Sequence, residues 1–123
     1  MGLYATLQDA LVECRRCGAG NRGDWQFYYG EVSSLPRYRV GDTIRWDGSP
    51  QYGGPATPLV FAVAYPDSPE ACSHCGAEFL CEVRIDNGRI VDCHYLTDQT
   101  FLPELVYEGT ERIPRSRKDL AGP

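Results

Sequence analysis

No stretch of this chain approaches the roughly 20 apolar residues that a helix needs to cross a bilayer. The sequence therefore predicts no membrane span. From Met1 to Val12 it carries Gln8 and Asp9 and no cation, unlike the basic start and apolar stretch of a signal peptide. The expected compartment is the cytoplasm. Histidine is scarce, with His74 and His94 alone. No serine, histidine and acid stand at a spacing that reads as a nucleophilic site. Gly53-Gly54-Pro55 lacks the following lysine and helix of a phosphate-cradling loop. Nothing here names a catalyst, and the chain reads as non-enzymatic.

Lysine is nearly missing as well: 11 of the 12 cations are arginine. The net charge of -5 is unevenly spread. Arg112, Arg115, Arg117 and Lys118 stand against Glu111 and Asp119 at the end, which leaves eight cations and 15 anions in residues 1–110. Phosphate contacts supply most non-specific affinity for nucleic acid, so an acidic body disfavours that partner. It favours a basic protein instead.

What the chain has is turn formers and cysteine. Nine prolines and 13 glycines among 123 residues leave little room for long helices and predict a mainly β fold. Six cysteines in a reducing compartment point to metal before disulfides. Four of them repeat one pattern: Cys14-Arg15-Arg16-Cys17-Gly18 and Cys72-Ser73-His74-Cys75-Gly76. Cysteines three apart on a tight turn aim both thiolates at one point, and turn N–H groups offset their charge. The glycine that follows suits a positive φ. Two such turns facing each other make a tetrahedral cage, so Cys14, Cys17, Cys72 and Cys75 are the expected metal ligands. All four positions are then filled, and the metal belongs to the fold.

On these residues the sequence resembles the zinc-ribbon superfamily, whose members pair two C-x-x-C-G knuckles at the tips of β-hairpins. Met1-Gly2-Leu3-Tyr4 ahead of a C-x-x-C-G is also similar to small zinc-ribbon proteins of phage and bacterial genomes. The resemblance implies one structural Zn2+. Rubredoxin shares the ligand set with iron, but 54 residues separate Cys17 from Cys72, too many for that plan. Simple ribbons use about 15–20 there. The interval therefore predicts a small antiparallel β subdomain inserted at about residues 24–66 of a zinc-ribbon domain spanning 1–110, followed by a flexible basic tail at 111–123.

Ala77 to Tyr95 reads as a hairpin around Asp86-Asn87-Gly88. A three-residue turn with Gly88 in the left-handed region pairs Ile85 with Arg89, Val83 with Val91 and Cys81 with Cys93. That register puts Cys81, Val83, Ile85, Val91, Cys93 and Tyr95 on one face. A two-residue Asn-Gly turn would mix the faces. The two cysteines read first as small buried hydrophobes, with a disulfide or a second metal site as alternatives.

Elsewhere, Leu3, Leu7, Ala10 and Leu11 have helical spacing, although Tyr4-Ala5-Thr6 suits a strand. Trp25–Tyr29 reads as a strand, Tyr38–Trp46 as strand, turn, strand, and Leu59–Tyr65 as a buried strand. Thr97–Tyr107 can hold a short helical turn. Arg15, Arg16, Trp25, Trp46, Tyr52 and His74 are the candidate partner contacts, because aromatic and arginine side chains anchor interfaces. The sequence thus reads as a zinc-stabilised protein-binding module, of an inhibitor, immunity or accessory kind. A nucleic-acid-binding or transcription-associated ribbon, using Arg15, Arg16 and Arg22, is the alternative.

Overall fold

Aromatic and β-branched residues set between frequent turn formers favour strands. The computed structural model describes residues 4–47, 51–55, 57–67, 71–96, 106–108 and 113–115, and no helix occurs among them. The strands are β1 (Ala5–Glu13), β2 (Gly20–Phe27), β3 (Gly30–Glu31), β4 (Arg37–Tyr38), β5 (Gln51–Tyr52), β6 (Leu59–Pro66), β7 (Cys81–Asp86), β8 (Arg89–Tyr95), β9 (Val106–Glu108) and β10 (Ile113–Arg115). The fold is mainly β, as the composition predicts. No described helix is long and apolar enough to cross a membrane.

Eight strands make one mixed sheet along the path β10-β9-β6-β2-β1-β4, with β7 on β6 and β8 on β7. Strand β6 is the hub. Leu59–Ala64 pair with β7, Val60–Ala62 with β9, and Tyr65 and Pro66 with β2. Its near-continuous apolar run has a physical reason, because both faces are covered. Val60, Ala62 and Ala64 enter the main core, while Phe61 and Val63 join Leu96 in a second cluster.

Helical spacing at the start of the chain is produced by a strand. β1 buries Ala5 and Leu7, then Ala10 and Val12. Between Leu7 and Ala10 the register against β2 slips by a bulge, where Asp9 takes φ 54°. An extra residue in a period-2 pattern yields a three-residue step, which mimics a helix.

The three-residue turn expected between β7 and β8 is replaced by a two-residue one. Asn87 and Gly88 both have positive φ (49° and 79°), and Asp86 pairs with Arg89. The apolar face survives because a bulge between Arg84 and Ile85 shifts the ladder, so Val83 pairs with Cys93 and Cys81 with Tyr95. The extra residue is Val91, which is 39% exposed rather than on the apolar face.

The Tyr38–Trp46 segment also departs from a simple hairpin. Tyr38 lies on β4, which runs parallel to β1. The returning part packs on the β7–β8 hairpin: Gly41 N–H donates to Ile90 O, Ile90 N–H donates to Asp42 O, and Thr43 bridges Arg89. Between the knuckles, the ends of the interval supply β2 and β6 to the main sheet. Its middle carries the separate two-stranded sheet of β3 and β5. Glu31 on β3 is buried, and Ser33 Oγ (2.6 Å), Ser34 N–H (2.6 Å) and Ser34 Oγ (2.9 Å) donate to its carboxylate, which lowers its pKa. Within the expected tail, Ile113–Arg115 pair with β9, and the rest of 111–123 lies outside the described residues. The possible helical turn lies outside them too, apart from Val106 and Tyr107 of β9.

Candidate metal centre

The first knuckle is the tip of the β1–β2 hairpin, and the second lies on the connection from β6 to β7. Both fold by one hydrogen-bond scheme. Gly18 N–H donates to Cys14 O at 2.7 Å and Cys14 N–H to Ala19 O at 2.9 Å. Gly76 N–H donates to Cys72 O at 2.9 Å and Cys72 N–H to Ala77 O at 3.1 Å. Gly18 and Gly76 have φ of 80° and 75°, the left-handed region in which a side chain would be strained.

These turns bring the four sulfurs within 4.8 Å of one another. Cys14 and Cys75 Sγ are 3.9 Å apart, and Cys17 and Cys72 Sγ 3.6 Å. A tetrahedron with metal–sulfur bonds of about 2.3 Å has edges of about 3.8 Å. The cluster is therefore compatible with a four-coordinate metal ion. Cys14 and Cys72 are buried, whereas Cys17 and Cys75 face outward.

Its electrostatics also suit a cation. The N–H of Cys75 points at Cys72 Sγ (3.5 Å) and, with Asn21 and the N–H of His74, lowers the Cys72 thiol to about 6. The N–H of Ala19 lowers Cys17, but burial and the three neighbouring thiols outweigh it and raise that group to about 12. Four sulfurs this close cannot all shed protons unless positive charge joins them.

Asn21, at the start of β2, ties the two knuckles together, and sequence reasoning missed it. Its side-chain amide donates to Ala19 O (3.2 Å) on the first knuckle. Its Oδ1 accepts the N–H (3.1 Å) and the hydroxyl (3.4 Å) of Ser73 on the second. An asparagine four residues beyond Cys17 carries no motif that would have marked it.

The candidate partner residues do not form one surface. Arg15, Arg16 and His74 are exposed on the knuckles. The Arg15 guanidinium stands 5.9 Å over the Tyr95 ring, which stacks on Phe79 (4.8 Å), which meets Trp25 (5.6 Å). Trp25 is 2% exposed and belongs to the core, which corrects its place among the partner contacts. Its aromatic bulk fills core volume against Phe79. Trp46 and Tyr52 are half-buried at another corner, edge-on to Tyr29 and Tyr28.

A concavity lies between β1 and β8. This groove of about 410 Å³ is lined by Leu11, Val40 and Val91, with Asp9, Arg22, Arg39 and Asp92 around them and Cys93 reaching it. On β8 the His94 ring lies 2.9 Å from both Glu82 Oε1 and Asp92 Oδ1. Its hydrogen bond to the buried Glu82 carboxylate, then that to Asp92, raises its pKa.

Comparison with family models, with curated proteins and with solved structures gives no match.

Proposed function

We propose that Cys14, Cys17, Cys72 and Cys75 hold one structural Zn2+ and that the domain is a non-enzymatic protein-binding module. The observation that carries this reading is the four-sulfur cluster, built from two knuckles with one hydrogen-bond scheme. Thiolate-only tetrahedral sites are the structural type. With every position taken by sulfur, no place is left for a metal-bound water. The hairpin tip that bears the first knuckle supports the zinc-ribbon likeness, and the long interval favours zinc over a rubredoxin-type iron centre.

The partner we infer is a basic protein, because residues 1–110 hold 15 anions against eight cations. An inhibitor or immunity protein covering a cationic active site fits that charge, as does an accessory subunit of a bacterial or phage assembly. The nucleic-acid reading has less support. Arg22 and Arg39 lie within 4 Å of Asp9, Arg37 of Asp24, and Arg84 of Asp86, so much of the arginine charge is answered within the chain.

The test compares the zinc-loaded chain on immobilised basic and acidic proteins with fluorescence anisotropy on labelled duplex and single-stranded DNA. The proposal expects salt-sensitive retention on basic proteins, reduced by Trp46→Ala with Tyr52→Ala. Tight DNA binding that weakens steeply with salt and is lost in Arg15→Ala with Arg16→Ala would establish the other reading.

A further inference from the structure

The remaining two cysteines stand apart from the metal cluster, inside the main core. Cys81 on β7 and Cys93 on β8 both face inward, and Cys93 pairs directly with Val83, two residues from Cys81. Their sulfurs are 2.8 Å apart. That is closer than the Cys17–Cys72 and Cys14–Cys75 pairs of the metal cluster, at 3.6 Å and 3.9 Å. It is about 0.8 Å beyond the roughly 2.05 Å of a disulfide bond. Two ligands do not make a metal cage, and the metal-holding group found among the described residues is the other four.

The two thiols differ in access. Cys81 is fully buried, at 0% exposure, whereas Cys93 is 9% exposed and is among the residues lining the β1–β8 groove. The groove's charged groups balance, with Arg22 and Arg39, both paired with Asp9, against Asp9 and Asp92, while Leu11, Val40 and Val91 give it an apolar wall. Cys93 is thus the member of the pair that borders the groove, and the one a reagent entering there meets first. Burial, followed by the neighbouring Cys93, raises the Cys81 thiol well above its ordinary value. It therefore remains protonated until a reaction next to it draws it in.

We propose that Cys93 and Cys81 form a redox-active dithiol, separate from the metal site, that reacts with small-molecule disulfides entering through the β1–β8 groove. The chemistry is thiol–disulfide exchange. The Cys93 sulfur loses its proton and attacks one sulfur of the reagent. The reagent's S–S bond breaks, and the first half leaves as a thiol carrying that proton. The Cys81 sulfur then loses its proton and attacks Cys93 Sγ, releasing the second half as another thiol. The protein dithiol is oxidised by two electrons to a Cys81–Cys93 disulfide, and the reagent is reduced to two thiols. The bond would staple β7 to β8 on the inner face, behind the bulge that sets their register. The inference does not rest on the partner-binding proposal.

The experiment treats the zinc-loaded full chain with oxidised glutathione, then alkylates under denaturing conditions and maps the peptides. The expected product has lost two hydrogens, about 2 Da, and contains a Cys81–Cys93 cross-link while the other four cysteines are alkylated. Cys81→Ser should stop at a single glutathionyl adduct on Cys93. Cys93→Ser should leave Cys81 unmodified over the same time, at least about tenfold slower. Oxidation of the metal-cluster cysteines with Cys81 and Cys93 still alkylatable would overturn the proposal. Equal adduct rates in the two single variants would overturn the order of attack. Val91→Trp, which puts a larger side chain in the groove lining, should slow adduct formation on Cys93 by oxidised glutathione. An unchanged rate would overturn the groove route.

Discussion

Replacing Asn21 by alanine isolates the tie between the two knuckles without touching a ligand. Asn21 is 8% exposed, and its side chain makes two well-placed hydrogen bonds, at 3.2 Å to Ala19 O and 3.1 Å from Ser73 N–H. The longer contact to the Ser73 hydroxyl, at 3.4 Å, adds little, because Ser73 is exposed and water can replace it. At about 1 kcal/mol for each good bond, Asn21→Ala should cost about 2 kcal/mol. For a domain of this size that corresponds to a fall of roughly 5–10 °C in Tm. The metal should feel it too. Ser73 lies next to Cys72, and groups that orient metal ligands are worth about 10–100-fold in affinity. Asn21→Asp sharpens the test: it keeps the acceptor for Ser73, loses the donor to Ala19, and adds negative charge beside four sulfurs. Its affinity should therefore fall more than its loaded stability. Urea unfolding of zinc-saturated protein and competition with a chromophoric chelator measure the two quantities. An Asn21→Ala protein within about 0.5 kcal/mol of the parent, and with the same zinc affinity, would refute the reasoning.

Stripping the metal with a strong chelator, or mutating Cys14→Ser, should abolish cooperative thermal unfolding; a stripped chain that melts like the loaded one contradicts a structural metal. Gly53→Ala should cost about 2–4 kcal/mol, since Gly53 has φ 83° and a Cβ there would strike the Tyr29 ring. Gly54→Ala, with nothing within 4 Å of the added Cβ, is the control and should be nearly silent in the same denaturation experiment. His94 gives a pH signature. Its folded pKa lies above the ordinary 6.5, so its contribution is complete below the unfolded value and is lost as pH rises through the raised one. Stability of the zinc-saturated protein should therefore decline with pH in that window, and His94→Gln should flatten the decline.

Chemistry was more legible in this sequence than geometry. The knuckles could be read because a C-x-x-C-G turn is local: the backbone hydrogen bonds that close it fall within six residues, from Cys14 to Ala19 or from Cys72 to Ala77. The apolar run Leu59–Tyr65 was legible because covering both faces removes any need for alternation. Both failures of pattern come from bulges. One between Leu7 and Ala10 gave β1 the step of a helix, and one between Arg84 and Ile85 restored the face that a two-residue Asn87-Gly88 turn would have mixed. A bulge trades one unpaired residue for a change of register, and only the packing partner on the other side of the core decides where it falls. Trp25 was misplaced for a related reason. Aromatic residues on a short strand suit a core and an interface equally well, until Phe79 and Tyr95 are known to stack beneath the first knuckle.

The position of the metal cluster also has an energetic logic. It joins Cys14 and Cys17 to Cys72 and Cys75 across 54 intervening residues. Closing a loop of that length costs about 3.5 kcal/mol of chain entropy from the logarithmic term alone. Local turns cannot offset it, since the sheet needs contacts far apart in sequence: β4 must find β1, and β6 must find β2 and β9. A structural zinc contributes about 10–16 kcal/mol of apparent binding free energy at neutral pH, several times that term. Bound at these cysteines, it would deliver that energy between the β1–β2 hairpin and the β6–β7 connection, the two parts that the pairing of β2 with β6 also joins. The long interval is therefore compatible with a domain of this size because the closure it demands falls on the cysteine cluster. The short β3–β5 pair in the middle, held by Glu31 and by the Tyr29 contact with Gly54, does not have to supply it.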